Sequence, residues 1–162
     1  MYQQCLELLK QRGVELKDIA DCVFFLQEKF YPDLTVQETE EMICGVISKR
    51  EVQHAILTGI NMDIMAENKQ LVSKDLEKIL NTDYSLYGVD EVLAYGICNI
   101  YGSIALTNFG YIDRMKPGII GKLNSHESGH CHTFLDDIVG AIAASAASRL
   151  AHSKGEKEDG HQ

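Results

Sequence analysis

From Phe134 to Ser148 the chain reads FLDDIVGAIAASAAS, and Asp136 and Asp137 are its only charged residues. Taking an unpaired carboxylate out of water costs several kcal/mol, so this pair must be capped, protonated, matched by a basic side chain or bound to a metal. A second acidic pair, Asp90-Glu91, opens another apolar stretch, and Asp113, Arg114 and Lys116 follow one helix length later. Carboxylates in a first helical turn also favour the helix dipole, which is the plain alternative for both pairs. Their repetition points further. Two pairs at the starts of two apolar helices can face one another and supply the oxygen donors that a hard divalent cation takes, and Mg²⁺ suits such a set better than zinc. Adjacent helical residues are about 100° apart, so one member of each pair points at a shared centre and the other serves from the flank. Asp90, Glu91, Asp136 and Asp137 are therefore taken together as candidate metal ligands.

These residues need helices to hold them. Residues 2–12 and 16–30 carry apolar residues at i, i+3, i+4 spacing, and Tyr31-Pro32 ends the second run. Thr35-Val36-Gln37-Glu38 has the form of a capping box for a third helix to about Ser48. A fourth spans Lys49 to Lys69 through Val52, Ile56, Ile60 and Met65, with Gly59 as a weak point, and a fifth runs from a Ser73 cap to Leu80. A long helix is expected from Gly88 toward Asp113, containing the uncharged stretch 92–112, and the last helix covers about 134–152. Asp113 lies about six turns beyond Asp90, roughly 34 Å along one straight helix. It reaches the acidic pairs if that helix breaks near residues 108–110 and folds back; otherwise it belongs elsewhere in the site.

The expected fold is all-α: a single-domain multi-helix bundle, residues 1–152, around a central apolar helix at 92–112, followed by a charged disordered tail, 153–162. The length of 162 residues and the 45% hydrophobic content suit one core, and no alternating strand pattern is present. The formal charge of −9 opposes nucleic-acid binding, and an anionic substrate would need a local cation to offset that field. Stretch 92–112 is long enough to cross a bilayer, but Asn99, Ser103, Thr107, Asn108 and three glycines dilute it, so it reads as core rather than as a transmembrane span. Five scattered cysteines without a Cys-x-x-Cys pair read as free thiols in a reducing cytoplasm. Small residues along Gly140–Ser148 allow close helix approach, in a tight core or at the interface of a homo-oligomer.

Val89–Asn124, with VDEVLAYG and YIDRMKPGII, and the later GHCHTFLDDIVGAI together resemble the phosphatidylglycerophosphatase A family. The resemblance rests on three ordered motifs, Asp-Glu on an apolar helix, Asp-x-x-Lys-Pro, and Asp-Asp-Ile-Val followed by a small residue, over about the C-terminal 65 residues. It implies an Mg²⁺-dependent phosphatase that removes the terminal phosphate of phosphatidylglycerophosphate, acting on a phospholipid at the membrane surface. It marks Asp90, Glu91, Asp113, Lys116, Pro117, Asp136 and Asp137 as the site. The charged N-terminal half lacks the Pro-Gly-Thr segment and the spans of membrane-bound members, so the likeness is to the soluble, YutG-like branch.

Within that class, Lys116 or Arg114 would contact the phosphate and Asp137 would act as general base, with an aspartyl-phosphate route also open. His126, His130 and His132 with Cys131 do not match a structural zinc spacing. They read as a loop closing over phosphate, with His126 assisting the leaving group, so Asp137, Asp113, Lys116 and His126 form the expected catalytic set. The alternative is a non-catalytic helical oligomeric module that binds a metal or an anionic ligand.

Overall fold

Residues 1–125 and 129–159 are described by the structure, a computed structural model, and every regular element among them is helical. In chain order these are α1 (Tyr2–Gln11), α2 (Leu16–Gln27), α3 (Val36–Ile47), α4 (Arg50–Glu67), α5 (Lys74–Asn81), α6 (Val89–Cys98), α7 (Ser103–Met115), α8 (Gly118–Asn124) and α9 (Leu135–Asp159). A 3₁₀ turn, Asn99–Tyr101, joins α6 to α7. The capping box forms as its spacing predicts: Thr35 Oγ1 accepts from the Glu38 amide at 3.2 Å, and Glu38 Oε2 accepts from the Thr35 amide at 3.1 Å. Ser73 Oγ likewise accepts from the Leu76 amide. Extended Lys49 separates α3 from α4.

The central helix is α9, not the 92–112 stretch. Every residue from Cys131 to Ser148 is buried, and α2, α3, α4, α6, α7 and α8 all pack on α9. Its small side chains explain why. Ala141, Ala143, Ala144, Ala146 and Ala147 are completely inaccessible, and Gly140 leaves room for the Phe109 ring of α7. A helix sheathed in small residues can be approached closely from several sides at once. The Gly140–Ser148 stripe is thus consumed inside the chain. Gly59, expected as a weak point of α4, serves the same packing: a Cβ there would lie 2.4 Å from Ile138 Cδ1 and 3.0 Å from Phe134 Cβ.

The 92–112 stretch is not one helix. Gly102 adopts φ 81°, ψ −164°, a conformation open essentially only to glycine, and the chain reverses there rather than near residues 108–110. α6 and α7 then lie as two arms against α9, each burying one side. This reversal returns the end of α7 to the level where α6 begins, so Asp113 and Lys116 come back to Asp90. No helix among the described residues is long and apolar enough to cross a membrane. All five cysteines are free thiols. The segment read as a charged tail begins inside α9, which continues to Asp159, and Lys154 Nζ lies 2.9 Å from Glu38 Oε1.

Gly102→Ala should lower unfolding free energy by about 1–3 kcal/mol, because alanine cannot take up this backbone conformation without strain. Urea denaturation followed by circular dichroism measures it. Unchanged stability would mean that the reversal does not depend on this glycine.

Candidate active site

The acidic start of α9 is held from α4. Asp63, completely buried, accepts from the Phe134 amide at 3.0 Å (Oδ1) and 3.2 Å (Oδ2) and from the Leu135 amide at 3.0 Å (Oδ2). It thereby serves the first free amides of α9. Burial lifts the Asp63 carboxyl to about 7, while the two backbone donors and the Arg12 charge pull the other way. The preceding segment is fastened as well. Arg12 Nη2 donates to the Cys131 carbonyl at 2.7 Å and to Glu67 Oε2 at 2.9 Å, Glu67 Oε2 accepts from the Cys131 amide, and Thr133 Oγ1 donates to the Leu80 carbonyl.

Four chain segments then present their acids to one cleft of about 230 Å³. It is lined by Asp83, Tyr84, Ser85, Gly88, Asp90, Glu91, Asp113, Lys116, Asn124, Asp136 and Asp137. Asp90 and Glu91 come from the first turn of α6, Asp113 and Lys116 from the end of α7, and Asp136 and Asp137 from the first turn of α9. Lys116 Nζ sits between two of them, 2.7 Å from Asp113 Oδ1 and 3.2 Å from Asp136 Oδ2. Its backbone is left-handed (φ 44°), an uncommon state for a residue with a side chain, and it ends α7 at the cleft wall. Asp90 Oδ1 also accepts from the Glu91 amide at 3.0 Å, so part of its capacity is used locally. Arg114 is exposed and does not line the cleft.

Among the described residues the cleft gathers more acidic than basic side chains. Asp136 and Asp137 are both 5% exposed. Burial raises the Asp136 carboxyl above the ordinary range, with Lys116 opposing the rise. Asp137 is raised by burial first, and then by the negative charges of Asp136, Asp113 and Asp90. Asp90 is raised by burial too. The neighbouring carboxylates hold Lys116 firmly protonated despite its partial burial. Among the described residues that line the cleft, Lys116 is the one basic side chain beside Asp83, Asp90, Glu91, Asp113, Asp136 and Asp137.

Such a donor set has the chemistry of a divalent-cation site: hard oxygen ligands, a surplus of negative charge, and an amide oxygen at Asn124. Its geometry stops short of coordination. Among the described residues no group of three or more His, Cys, Asp or Glu side chains converges as a metal site. The four expected ligands line this one cleft. His126 lies outside the described residues. His130 and His132 do not form a metal cluster; His130 Nδ1 is 2.9 Å from Glu67 Oε1, and His132 Nδ1 is 3.4 Å from Arg12 Nη2.

Sequence reasoning missed Asp63, Asp83, Arg12 and Glu67. Asp63 had a signal: it falls at i+7 and i+3 from Ile56 and Ile60, on the buried side of α4, whereas Met65, assigned to that stripe, is 37% exposed. A carboxylate at a core register position is the same anomaly that singled out Asp136 and Asp137. Arg12 and Glu67 meet Cys131 across more than 60 residues of chain, and no local pattern announces that. A larger cleft of about 350 Å³, between α1, α2 and α3, is lined mainly by Leu6, Leu9, Val14, Leu16 and Ile19 and gathers no comparable chemistry.

Residues 11–152 match the family described as Phosphatidylglycerophosphatase A. The chain is 62% identical over 144 residues to the uncharacterized protein YutG of Bacillus subtilis (strain 168), spanning 89% of this chain and 86% of YutG. Its fold superposes on a protein of unknown function from Bacillus stearothermophilus with a TM-score of 0.91, at 55% identity over 94% of each chain. It also superposes on the low temperature requirement C protein of Listeria monocytogenes with a TM-score of 0.92, at 55% identity, over 95% of this chain and 96% of that one.

Asp63→Ala leaves two buried amides at the start of α9 without acceptors and should cost about 2–3 kcal/mol. Urea unfolding checks this. A change below about 0.5 kcal/mol, the level of an ordinary surface substitution, would remove Asp63 from the support of the site.

Proposed function

The chain belongs to the phosphatidylglycerophosphatase A family, and we propose that its acidic cleft hydrolyses a phosphate monoester with Mg²⁺, phosphatidylglycerophosphate being the substrate. The observation that supports this reading best is the meeting of all three family motifs in one cleft. Asp90-Glu91, Asp113 with Lys116, and Asp136-Asp137 are far apart in the chain yet line the same wall. A cleft so rich in carboxylates repels a phosphate dianion unless positive charge is added. Asp90, Glu91, Asp136 and Asp137 are the residues that would hold the cation. When bound, it supplies positive charge against the phosphoryl oxygens and makes water a better nucleophile at neutral pH.

The chain's own residues do the rest. Lys116, kept protonated and oriented by its 2.7 Å contact with Asp113, can turn from Asp136 to a phosphoryl oxygen. Asp137, in the first turn of α9 and on the cleft, accepts a proton from the attacking water as its oxygen bonds to phosphorus. The ester P–O bond breaks, the alcohol oxygen leaves and takes up a proton from solvent, Asp137 returns its proton to solvent, and inorganic phosphate remains. Asp113 acts through Lys116 and is a positioning residue.

Purified protein given phosphatidylglycerophosphate and Mg²⁺ should release inorganic phosphate. Asp137→Asn should lower kcat by about 10²–10⁴-fold while leaving the helical circular dichroism intact. Wild-type turnover in the variant would discard Asp137 as base. Release that persists in excess chelator would discard the metal requirement.

A further inference from the structure

A phosphate monoester dianion offers only hydrogen-bond acceptors, its nonbridging oxygens and its ester oxygen. The acidic cleft is lined chiefly by carboxyl groups, which also only accept when ionised. Side-chain donors on its wall are therefore few: among the described residues they are Lys116, Tyr84, Ser85 and Asn124. Lys116 Nζ is held by Asp113 Oδ1 at 2.7 Å and Asp136 Oδ2 at 3.2 Å. Tyr84 and Ser85 are exposed and belong to the irregular segment between α5 and α6. Asn124 differs from all three. It is half-buried at the end of α8, and among the described residues its amide makes no hydrogen bond, although it borders a cleft rich in acceptors.

We propose that the Asn124 side-chain amide binds the substrate by donating to a nonbridging oxygen of its phosphoryl group; the inference rests on the reading of the cleft as a phosphate-ester site. Position is the first argument. Gly121 lets α8 close against the end of α7, since a Cβ there would lie 2.6 Å from the Lys116 carbonyl oxygen. Asn124 follows three residues on, beside Gly121 on the helix surface, so its amide and Lys116 stand on the wall of one cleft. Ile120 and Leu123 are buried, and α8 packs on α2 and α9, which gives the amide a fixed base.

Charge is the second argument. An ammonium among these acids is drawn onto them, as the two contacts of Lys116 show. A side-chain amide carries no net charge, so it stays open to an arriving ligand while still presenting N–H donors. The oxygen of the same amide is also a possible cation ligand. A divalent cation, however, is attracted more strongly by the charged oxygens of Asp90, Glu91, Asp136 and Asp137, which line the same cleft. That division leaves the amide to the phosphate.

Calorimetry of the full chain, saturated with Mg²⁺ and titrated with inorganic phosphate, tests this. Asn124→Ala should raise the phosphate dissociation constant roughly 10-fold or more, the loss of one hydrogen bond to a charged group, and lower kcat/KM for phosphatidylglycerophosphate by about as much. Mg²⁺ titrated alone should bind the variant within about twofold of wild type. Should the alanine variant lose its helical circular dichroism, Asn124→Leu, of similar outline but without polar atoms, is read in the same way. Phosphate affinity equal to wild type in a folded variant overturns the proposal, as does a wild type that binds no phosphate. Equal losses of Mg²⁺ and phosphate affinity give the amide to the cation and overturn it too. Phosphate binding that depends on Asn124, without phosphate release from phosphatidylglycerophosphate, keeps the assignment and discards the hydrolytic reading instead.

Discussion

The structure depends on one electrostatic constraint: two adjacent carboxylates, Asp136 and Asp137, stand at the head of the most deeply buried helix in the molecule. Low polarizability around them makes their charge expensive, and the nearby acids of α6 and α7 raise the cost. A core built only for stability would not contain them, since apolar residues of similar volume pack there without that penalty. Their burial has a chemical rationale when a cation and a phosphate share the cleft, because there the same surplus becomes a binding force.

The fold is arranged to hold that unfavourable cluster still. Small residues along α9 let six helices close around it, which fixes the helix in position and direction. Asp63 occupies the amides at its start, and the carboxylates of the two following residues line the cleft, Asp136 beside Lys116. Arg12, just after α1, and Glu67, at the end of α4, fasten the segment before it. Gly102 turns what reads as one helix into two arms and brings Asp113 and Lys116 back to the acids at the start of α6. Position, orientation and charge of the site thus come from four separate parts of the chain.

Much of this was legible in the sequence, for physical reasons that differ by residue. The capping box at Thr35 and the stop after Leu80 are local, and they form where the residues predict. Asp136 and Asp137 stand out because charge in an apolar run is costly wherever it folds. The identity of the central helix was not legible: an uncharged stretch at 92–112 and a small-residue stretch at 135–148 both read as core, and only packing decides that the thinner one takes the middle. The reversal was foreseen as one option but placed several residues late, since Gly102 and Gly110 look alike until backbone angles distinguish them. Among the described residues no three of the expected acids gather closely enough to hold a metal, a matter that spacing along single helices does not decide.

The most direct test is calorimetric titration of Mg²⁺ into metal-free protein. Saturable binding in the wild type, abolished by Asp136→Asn without loss of helical structure, is the result this account predicts. Absence of saturable binding, or equal affinity in the variant, would contradict it.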